Sequence, residues 1–389
     1  MDDYRSFLAP EDLTTVREFI VARWEETVRS STGDEGTLIG LPYPYTVPSR
    51  QGAFQELYYW DTYFTCLGLI ESGRVELAAD NARNLLSLLG RFGYVPNGNR
   101  TFYLTRSQPP YLAALVQRIA SCPGYEGFLA EAMPLLRREY DFWTIHRTAP
   151  GGLARYGHHA TRDELLEFHA EIAPRTRLSG DRTDVLPELS HIMAECESGW
   201  DFNPRFDKRC DEFYAVELNC LLYTYEQLFA RQPETQGEKD WSAVAAERAE
   251  KINLLCWDEA QGGFFDYDFV RGQRSAVVNC GTFQALWAGL ASEAQAARIV
   301  EKILPQLEFA FGLAACGQRD DNLIWQWDFP NGWPCMQQMV VDGLQRYGYT
   351  DAARRIARKY LASVCRTFRQ TGDLWEKYNV EDGTARTFA

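Results

Sequence analysis

Apolar residues recur at three- and four-residue spacing along most of the chain, the pattern of helices that bury one face. Over 11–30 the run Leu13, Val16, Phe19, Ile20 and Trp24 follows Pro10. A proline suits a helix start because the N–H it lacks would have no helical partner there. The same period predicts helices over 57–70, 75–89, 111–120 and 125–146, then a pair over 212–231 and 241–256. Later ones are predicted over 292–303, 336–347 and 351–367, and the best strand candidate is 262–270.

The segments in between (40–52, 93–110, 148–186, 199–208 and 317–334) are long, rich in Gly and Pro, and full of aromatic and charged residues. Long structureless connections in a compact domain are usually functional. No low-complexity linker or break in composition interrupts the chain. The pattern therefore predicts a single all-α domain over 1–389. Its helical hairpins would stack into an α/α toroid with the loops meeting at one mouth, and the helix over 11–30 would pack outside.

Composition narrows the class. With 389 residues, 46% of them hydrophobic, the chain can bury a large core. No apolar run approaches the roughly 18 residues of a membrane span. Behind Met1-Asp2-Asp3-Tyr4-Arg5 there is no apolar stretch, so no secretory leader is expected. Lys plus Arg is 40 against 54 for Asp plus Glu, a net −14 that repels phosphate backbones and argues against a nucleic-acid partner. Ten scattered cysteines without a Cys-x-x-Cys read as reduced, mostly buried thiols of a cytoplasmic protein. The adjacent pair His158-His159 points two ways on any regular element, so no metal site is expected.

Aromatic residues make up 14% of the chain, with 11 Trp and 20 Tyr. A flat apolar face with a polar tip suits a wet pocket that stacks sugar rings and hydrogen-bonds their hydroxyls. Four segments concentrate that chemistry: Phe54 to Tyr63, Pro96 to Pro110, Glu197 to Phe202 and Ile324 to Pro334. They supply carboxylates, amides, guanidiniums and indoles on backbones fixed by Gly and Pro. Cleaving a glycosidic bond takes two carboxyls, one protonated and one ionised, on either side of the anomeric carbon. An isomerase or lyase would more often recruit histidine, and no histidine lies in these segments.

These residues resemble the trehalases of glycoside hydrolase family 37, with kinship to the family 63 α-glycosidases. Phe54, Glu56, Tyr58, Trp60, Asp61 and Tyr63 match the first signature, Pro-Gly-Gly-Arg-Phe-x-Glu-x-Tyr-x-Trp-Asp-x-Tyr. Gln326, Trp327, Asp328, Pro330, Gly332 and Trp333 match every fixed position of the second, Gln-Trp-Asp-x-Pro-x-Gly-Trp. The Asn97-Gly98, Arg106-Ser107-Gln108-Pro109-Pro110, Ser198-Gly199-Trp200-Asp201 and Trp375-Glu376-Lys377-Tyr378 segments are similar too, in the right order.

The resemblance implies an (α/α)6 toroid and inverting hydrolysis of an α-glycoside, most directly trehalose to glucose, with no metal or organic cofactor. By motif, Asp201 matches the general acid and Glu376 the general base. Burial beside Trp200 would raise the acid's pKa. Phe54, Tyr58, Trp60, Asp61, Asn97, Arg106, Gln108, Gln326 and Trp327 match sugar contacts. Arg162 and Glu164 keep the spacing of an Arg-Pro-Glu pair, with Asp163 for the proline.

Two departures stand out. The first signature's Arg is Ala53 here, preceded by Gln51-Gly52, which removes up to five donors, and Arg50 is its nearest possible substitute. The family also runs on past Glu-Lys-Tyr into a Gly-rich loop and a closing helix with no counterpart before Ala389. The toroid is thus expected to be either cut short or closed differently. The alternative reading is a family 63-type hydrolase of another small α-glucoside or compatible-solute glycoside. A non-catalytic sugar binder would have no need of two opposed carboxylates. The expected partner is a small sugar, with the protein a monomer or small homo-oligomer.

Overall fold

The computed structural model describes residues 4–176, 185–235, 237, 239–320 and 325–387. Its first helices are α1 (Pro10–Arg23), α2 (Tyr59–Glu71), α3 (Val75–Phe92), α4 (Leu112–Ala120), α5 (Phe128–His146), α6 (Arg162–Thr176) and α7 (Leu186–Ser198). There follow α8 (Val216–Arg231), α9 (Trp241–Cys256), α10 (Gln284–Trp287), α11 (Glu293–Arg298), α12 (Leu304–Leu307), α13 (Pro334–Arg346) and α14 (Thr350–Thr371).

Which helix lies inside follows from how far its apolar surface extends. Helix α2 buries Tyr59, Trp60, Thr62, Tyr63, Cys66 and Leu69, leaving little polar face, and α8 is buried along most of its length. Helix α14 turns Ala352, Ala353, Ile356 and Tyr360 inward and Arg354, Arg355, Arg358 and Arg369 to solvent. Accordingly α2, α4, α8, α10 and α13 each touch the next in an inner layer. Helices α3, α5, α9 and α14 back their hairpin partners from outside. One apolar core runs through both layers from Ile39 to Ile356, and a satellite cluster including Leu165, Ile172, Leu189 and Met193 joins α6 to α7.

Charge buried inside is matched by partners. The Glu139 carboxylate of α5 accepts the hydroxyls of Tyr59 and Tyr225, tying α5 to α2 and α8. Arg248 of α9 meets Glu226 of α8 at 2.7 Å. All ten cysteines are buried and outside any disulfide, as their scatter suggested. Among the described residues no helix is long and apolar enough to cross a membrane.

Several boundaries differ from the periodicity reading. The helix expected over 11–30 stops at Arg23, where Trp24–Thr27 tighten into a 3-10 turn and Val28–Arg29 pair with Tyr45–Thr46. It packs on α14, with the Phe19 and Phe368 rings 4.8 Å apart. The element expected from 212 begins at Val216, because Phe213–Tyr214 are strand, paired with Tyr267–Asp268. The strand expected over 262–270 is two short ones, Gly263–Phe264 and Tyr267–Asp268. The stretch 148–186, read as loop, holds the whole of α6 and the start of α7. Both were missed because α6 is mostly polar and shows only a narrow apolar stripe. Parts of the segments 148–186 and 317–334, Ile324 among them, lie outside the described residues, as does Met1-Asp2-Asp3.

Candidate active site

The loops that enter the inner helices converge on one mouth, and its floor is aromatic. Trp333 lies face to face on Trp327, 3.8 Å apart at 5°. Trp327 in turn stacks on Trp200 at 5.6 Å and 27°, and meets Trp60 at 5.6 Å. The four indoles come from three separated segments, so packing them together draws those segments to one place.

Each carboxylate reaches this floor from a helix end. Asp61 sits in the first turn of α2, where Gln108 accepts the Trp60 N–H at 3.1 Å in place of a side-chain cap on Tyr58. Asp201 follows the left-handed Gly199 that terminates α7. A Cβ on Gly199 would lie 2.7 Å from the Trp60 ring, so only glycine lets the turn before Asp201 approach that indole. Glu376 follows the end of α14 and is about half exposed, 3.0 Å from Lys377, whose ammonium lies 4.8 Å from the centre of the Trp333 ring.

Burial first, and then the charges of Glu376 and Asp201, push the Asp61 carboxyl up to about 7. Asp61 thus lies within electrostatic reach of both of the other carboxyls. The loop that carries Gln326 and Trp327 holds the other two in register. The amides of both residues donate to the Phe202 carbonyl beside Asp201, at 3.0 and 3.3 Å. Further on, Asn331 and Gly332 pair antiparallel with Asn379 and Tyr378, just past Glu376. Phe202 holds a left-handed backbone, φ 58°, unusual for a phenylalanine and a local strain that the surrounding bonds must sustain.

The other motif residues take distinct places. Tyr58 donates to Glu56 at 2.9 Å, contacts the Tyr103 hydroxyl at 3.1 Å, and has its own hydroxyl pKa raised by burial. Phe54 is half exposed at φ 60°, its ring edge-on to Tyr58. Asn97 is buried, and its backbone joins Tyr59 to Arg106. Arg106 is buried too, yet no carboxylate pairs with it among the described residues. Its Nη1 reaches only Thr105 and the Met193 sulfur, and its Nε has no partner. A guanidinium buried with spare donors is suited to hold sugar oxygens.

Arg162 and Glu164 lie exposed at the start of α6. There Glu164 accepts the backbone N–H and the hydroxyl of Thr161 at 2.7 and 2.8 Å, a capping box that lowers its own pKa. Arg50 does not stand in for the arginine missing at Ala53. It reaches Asp373 at 2.6 Å and Glu26 at 3.1 Å instead.

Sequence reading missed a layer of charge beneath the site. Glu197, fully buried, receives Arg147 through both oxygens at 2.7 Å, together with the N–H groups of Ser107 and Gly157. Arg205, equally buried, is gripped by Glu217 and Asp266 and lies 4.3 Å from the centre of the Trp200 ring. The only sequence signal was charge inside runs that are otherwise apolar. Among the described residues no group of three or more His, Cys, Asp or Glu side chains is arranged to hold a metal ion.

A two-layered helical toroid that gathers opposed carboxyls over a bed of indoles is a glycoside hydrolase. The chain belongs to the trehalase family, whose model matches residues 1–387. It is 34% identical over 398 residues to a periplasmic trehalase of Xanthomonas axonopodis pv. citri, covering 96% of this chain and 69% of that protein. It is also 34% identical to a cytosolic neutral trehalase of Kluyveromyces lactis, over 91% of this chain and 52% of that one. Neutral trehalase Nth1 from Saccharomyces cerevisiae superposes with a TM-score of 0.77 at 30% identity, over 94% of this chain and 76% of that chain. A mannosylglycerate hydrolase of family GH63 from Thermus thermophilus superposes at 0.66 and 19% identity, covering 96% of each, and shares the fold. The (α/α)6 toroid expected from the motifs is therefore the architecture of this chain.

Proposed function

We propose that the enzyme hydrolyses trehalose with inversion, Asp201 acting as general acid and Glu376 as general base. The observation that carries this reading is the meeting of Asp61, Asp201 and Glu376 over the four-indole floor. One glucose ring lies on the aromatic floor, its hydroxyls held by Asp61, Asn97, Arg106, Gln108 and Gln326. Asp201 delivers its proton to the glycosidic oxygen as the bond to the anomeric carbon breaks. A water on the opposite face adds to that carbon while Glu376 takes its proton. Configuration inverts at that centre, so α,α-trehalose yields one β-glucose and one α-glucose. For a water to fit, the two carboxyls must stand about 6.5–9.5 Å apart.

Proton NMR of the anomeric signals tests this directly. Early product from trehalose should contain equal amounts of the two anomers, before mutarotation mixes them. Asp201→Asn and Glu376→Gln should each lower kcat by about 10²–10⁴-fold with the fold intact. A retained α-anomer at both sugars would reject inversion, and an active Asp201→Asn would reject the acid. Turnover of a different α-glucoside in preference to trehalose would move the substrate and keep the mechanism.

We place the enzyme in the cytoplasm. Its ten buried cysteines, none of them in a disulfide, suit a reducing compartment, although relatives occur in both periplasm and cytosol.

A further inference from the structure

Four arginines are buried among the described residues, and three of them hold a carboxylate. Arg147 is paired with Glu197, Arg205 with Glu217 and Asp266, and Arg248 with Glu226. Arg106 differs. It is 8% exposed, and its Nη1 donates to the thioether sulfur of Met193 at 3.1 Å.

Its other side-chain contacts among the described residues carry no charge either. The Thr105 hydroxyl accepts from the same Nη1 at 3.2 Å and lies 3.7 Å from the same sulfur. The guanidinium carbon stands 5.3 Å from the centre of the Tyr103 ring and 5.7 Å from that of Phe168. A polarisable sulfur and two ring faces attract a cation without carrying a charge of their own. They hold the guanidinium and do not neutralise it.

The sulfur itself is fixed by packing. Met193, 2% exposed on α7, lies in the satellite cluster with Leu165, Ile172, Leu189 and Ile192, and Phe168 of α6 packs on the same cluster. Where α6 rests on α7 therefore sets where the guanidinium stands.

We propose that Met193 is a positioning residue for sugar binding: its sulfur holds Arg106 in place with an acceptor too weak to compete with hydroxyls, so the donors of the cation go to the substrate. This rests on the reading of Arg106 as a sugar contact. A carboxylate at that point would pair with the guanidinium and occupy the fork that a sugar needs. A wholly apolar side chain would leave the guanidinium unanchored, and part of the binding would be lost in ordering it. A thioether avoids both, being a weak acceptor that still gives direction. The sulfur acts on the bound ring and not on the proton transfer, so its effect belongs to substrate affinity.

The test is steady-state kinetics with trehalose on the full chain, with thermal melts to establish folding. The variants are Met193→Leu, Met193→Glu, Arg106→Met and the double variant that combines Met193→Leu with Arg106→Met. Leucine keeps a similar volume and loses the acceptor. Its KM should rise about threefold or more while kcat stays within about twofold of wild type, the split expected when binding common to ground and transition state is lost. Glutamate makes the acceptor strong and charged and should raise KM by about tenfold or more. With Arg106→Met already in place, Met193→Leu should change KM no further, since the sulfur then has no guanidinium to hold. Either substitution of Met193 reads KM, so a folding failure in one leaves the other decisive. A folded Met193 variant with the wild-type KM overturns the proposal. So does a Met193→Leu effect that persists in full without Arg106, which would mark the methionine as packing alone. Absence of trehalose turnover by the wild type, or an unchanged KM in Arg106→Met, would instead remove the reading beneath it.

Discussion

Ala53 is the residue at which substrate choice is most open to test. Its side chain ends at a methyl where the family signature carries a guanidinium, and Arg50 is committed to Glu26 and Asp373. Ala53→Arg restores up to five donors beside Phe54 and Tyr58. One charge-assisted bond to a sugar hydroxyl, at about 1.4 kcal/mol, would lower KM for trehalose about tenfold. Steady-state kinetics with trehalose and maltose check it, and an unchanged ratio of kcat/KM between them would show that the position does not read the sugar. At this scale the motifs of the candidate site could be read in advance. Asp61, Asp201, Gln326 and Glu376 stand in long contiguous motifs, and such motifs announce themselves in one dimension. Glu195, Glu197 and Arg205 could not be read, because a charged residue type says nothing about whether it will be buried. Their partners lie elsewhere in the chain: Glu197 meets Arg147 across 50 positions, and Arg205 meets Asp266 across 61.

Among the elements, α7, which ends shortly before the proposed acid Asp201, was least visible. Its polar and apolar residues alternate too irregularly to separate it from the loop before it, whereas α2, α3, α8 and α9 declared themselves through sustained helical periodicity. What α7 delivers depends on its end. Gly199→Ala must place a Cβ in the left-handed region and 2.7 Å from the Trp60 ring, so the indole floor has to shift. Gly73, with a similar φ of 75° and open space within 4 Å of where its Cβ would stand, supplies the control. Gly73→Ala should cost about 1 kcal/mol of stability with kcat unchanged. Gly199→Ala should cost more and lower kcat at least tenfold, as thermal melts and initial rates would report. Equal effects of the two substitutions would mean that the close approach to Trp60 is of no consequence.

Across the whole molecule, buried carboxyls make stability depend on pH in an unusual direction. Burial lifts Glu139 from an ordinary 4.5 to about 7, Asp61 rises to about 7 and Glu195 to about 8. Folded, these groups keep protons that the unfolded chain releases above its ordinary carboxyl range. From about pH 4.5 to 7 the unfolded state therefore binds fewer protons, and stability falls as pH rises. His158 and His159, lowered mainly by burial, act oppositely and only below about 6.5. The melting temperature should accordingly decline from about pH 6.5 to 8. Glu139→Gln, which removes one of the three groups, should shrink that decline by on the order of 2 °C. A variant whose decline matches wild type would show that Glu139 holds no extra proton in the fold. The toroid was legible at this scale because repeated helical hairpins leave a repeating pattern. The balance of buried charge was not, since it belongs to no single segment.

The loop from Gln326 to Gly332 grips the turn of Asp201 at one end and the segment after Glu376 at the other. It is in effect a gauge block between the two carboxyls. Inverting and retaining glycosidases differ by about 1–4 Å in that separation, and one extended residue spans about 3.3 Å. A single deletion in this loop is thus comparable to the difference between two stereochemical classes. The other loops at the mouth can lengthen or shorten and alter which sugar enters. On the roles proposed for Asp201 and Glu376, a change of length here would alter their separation, the quantity that divides inverting from retaining hydrolysis.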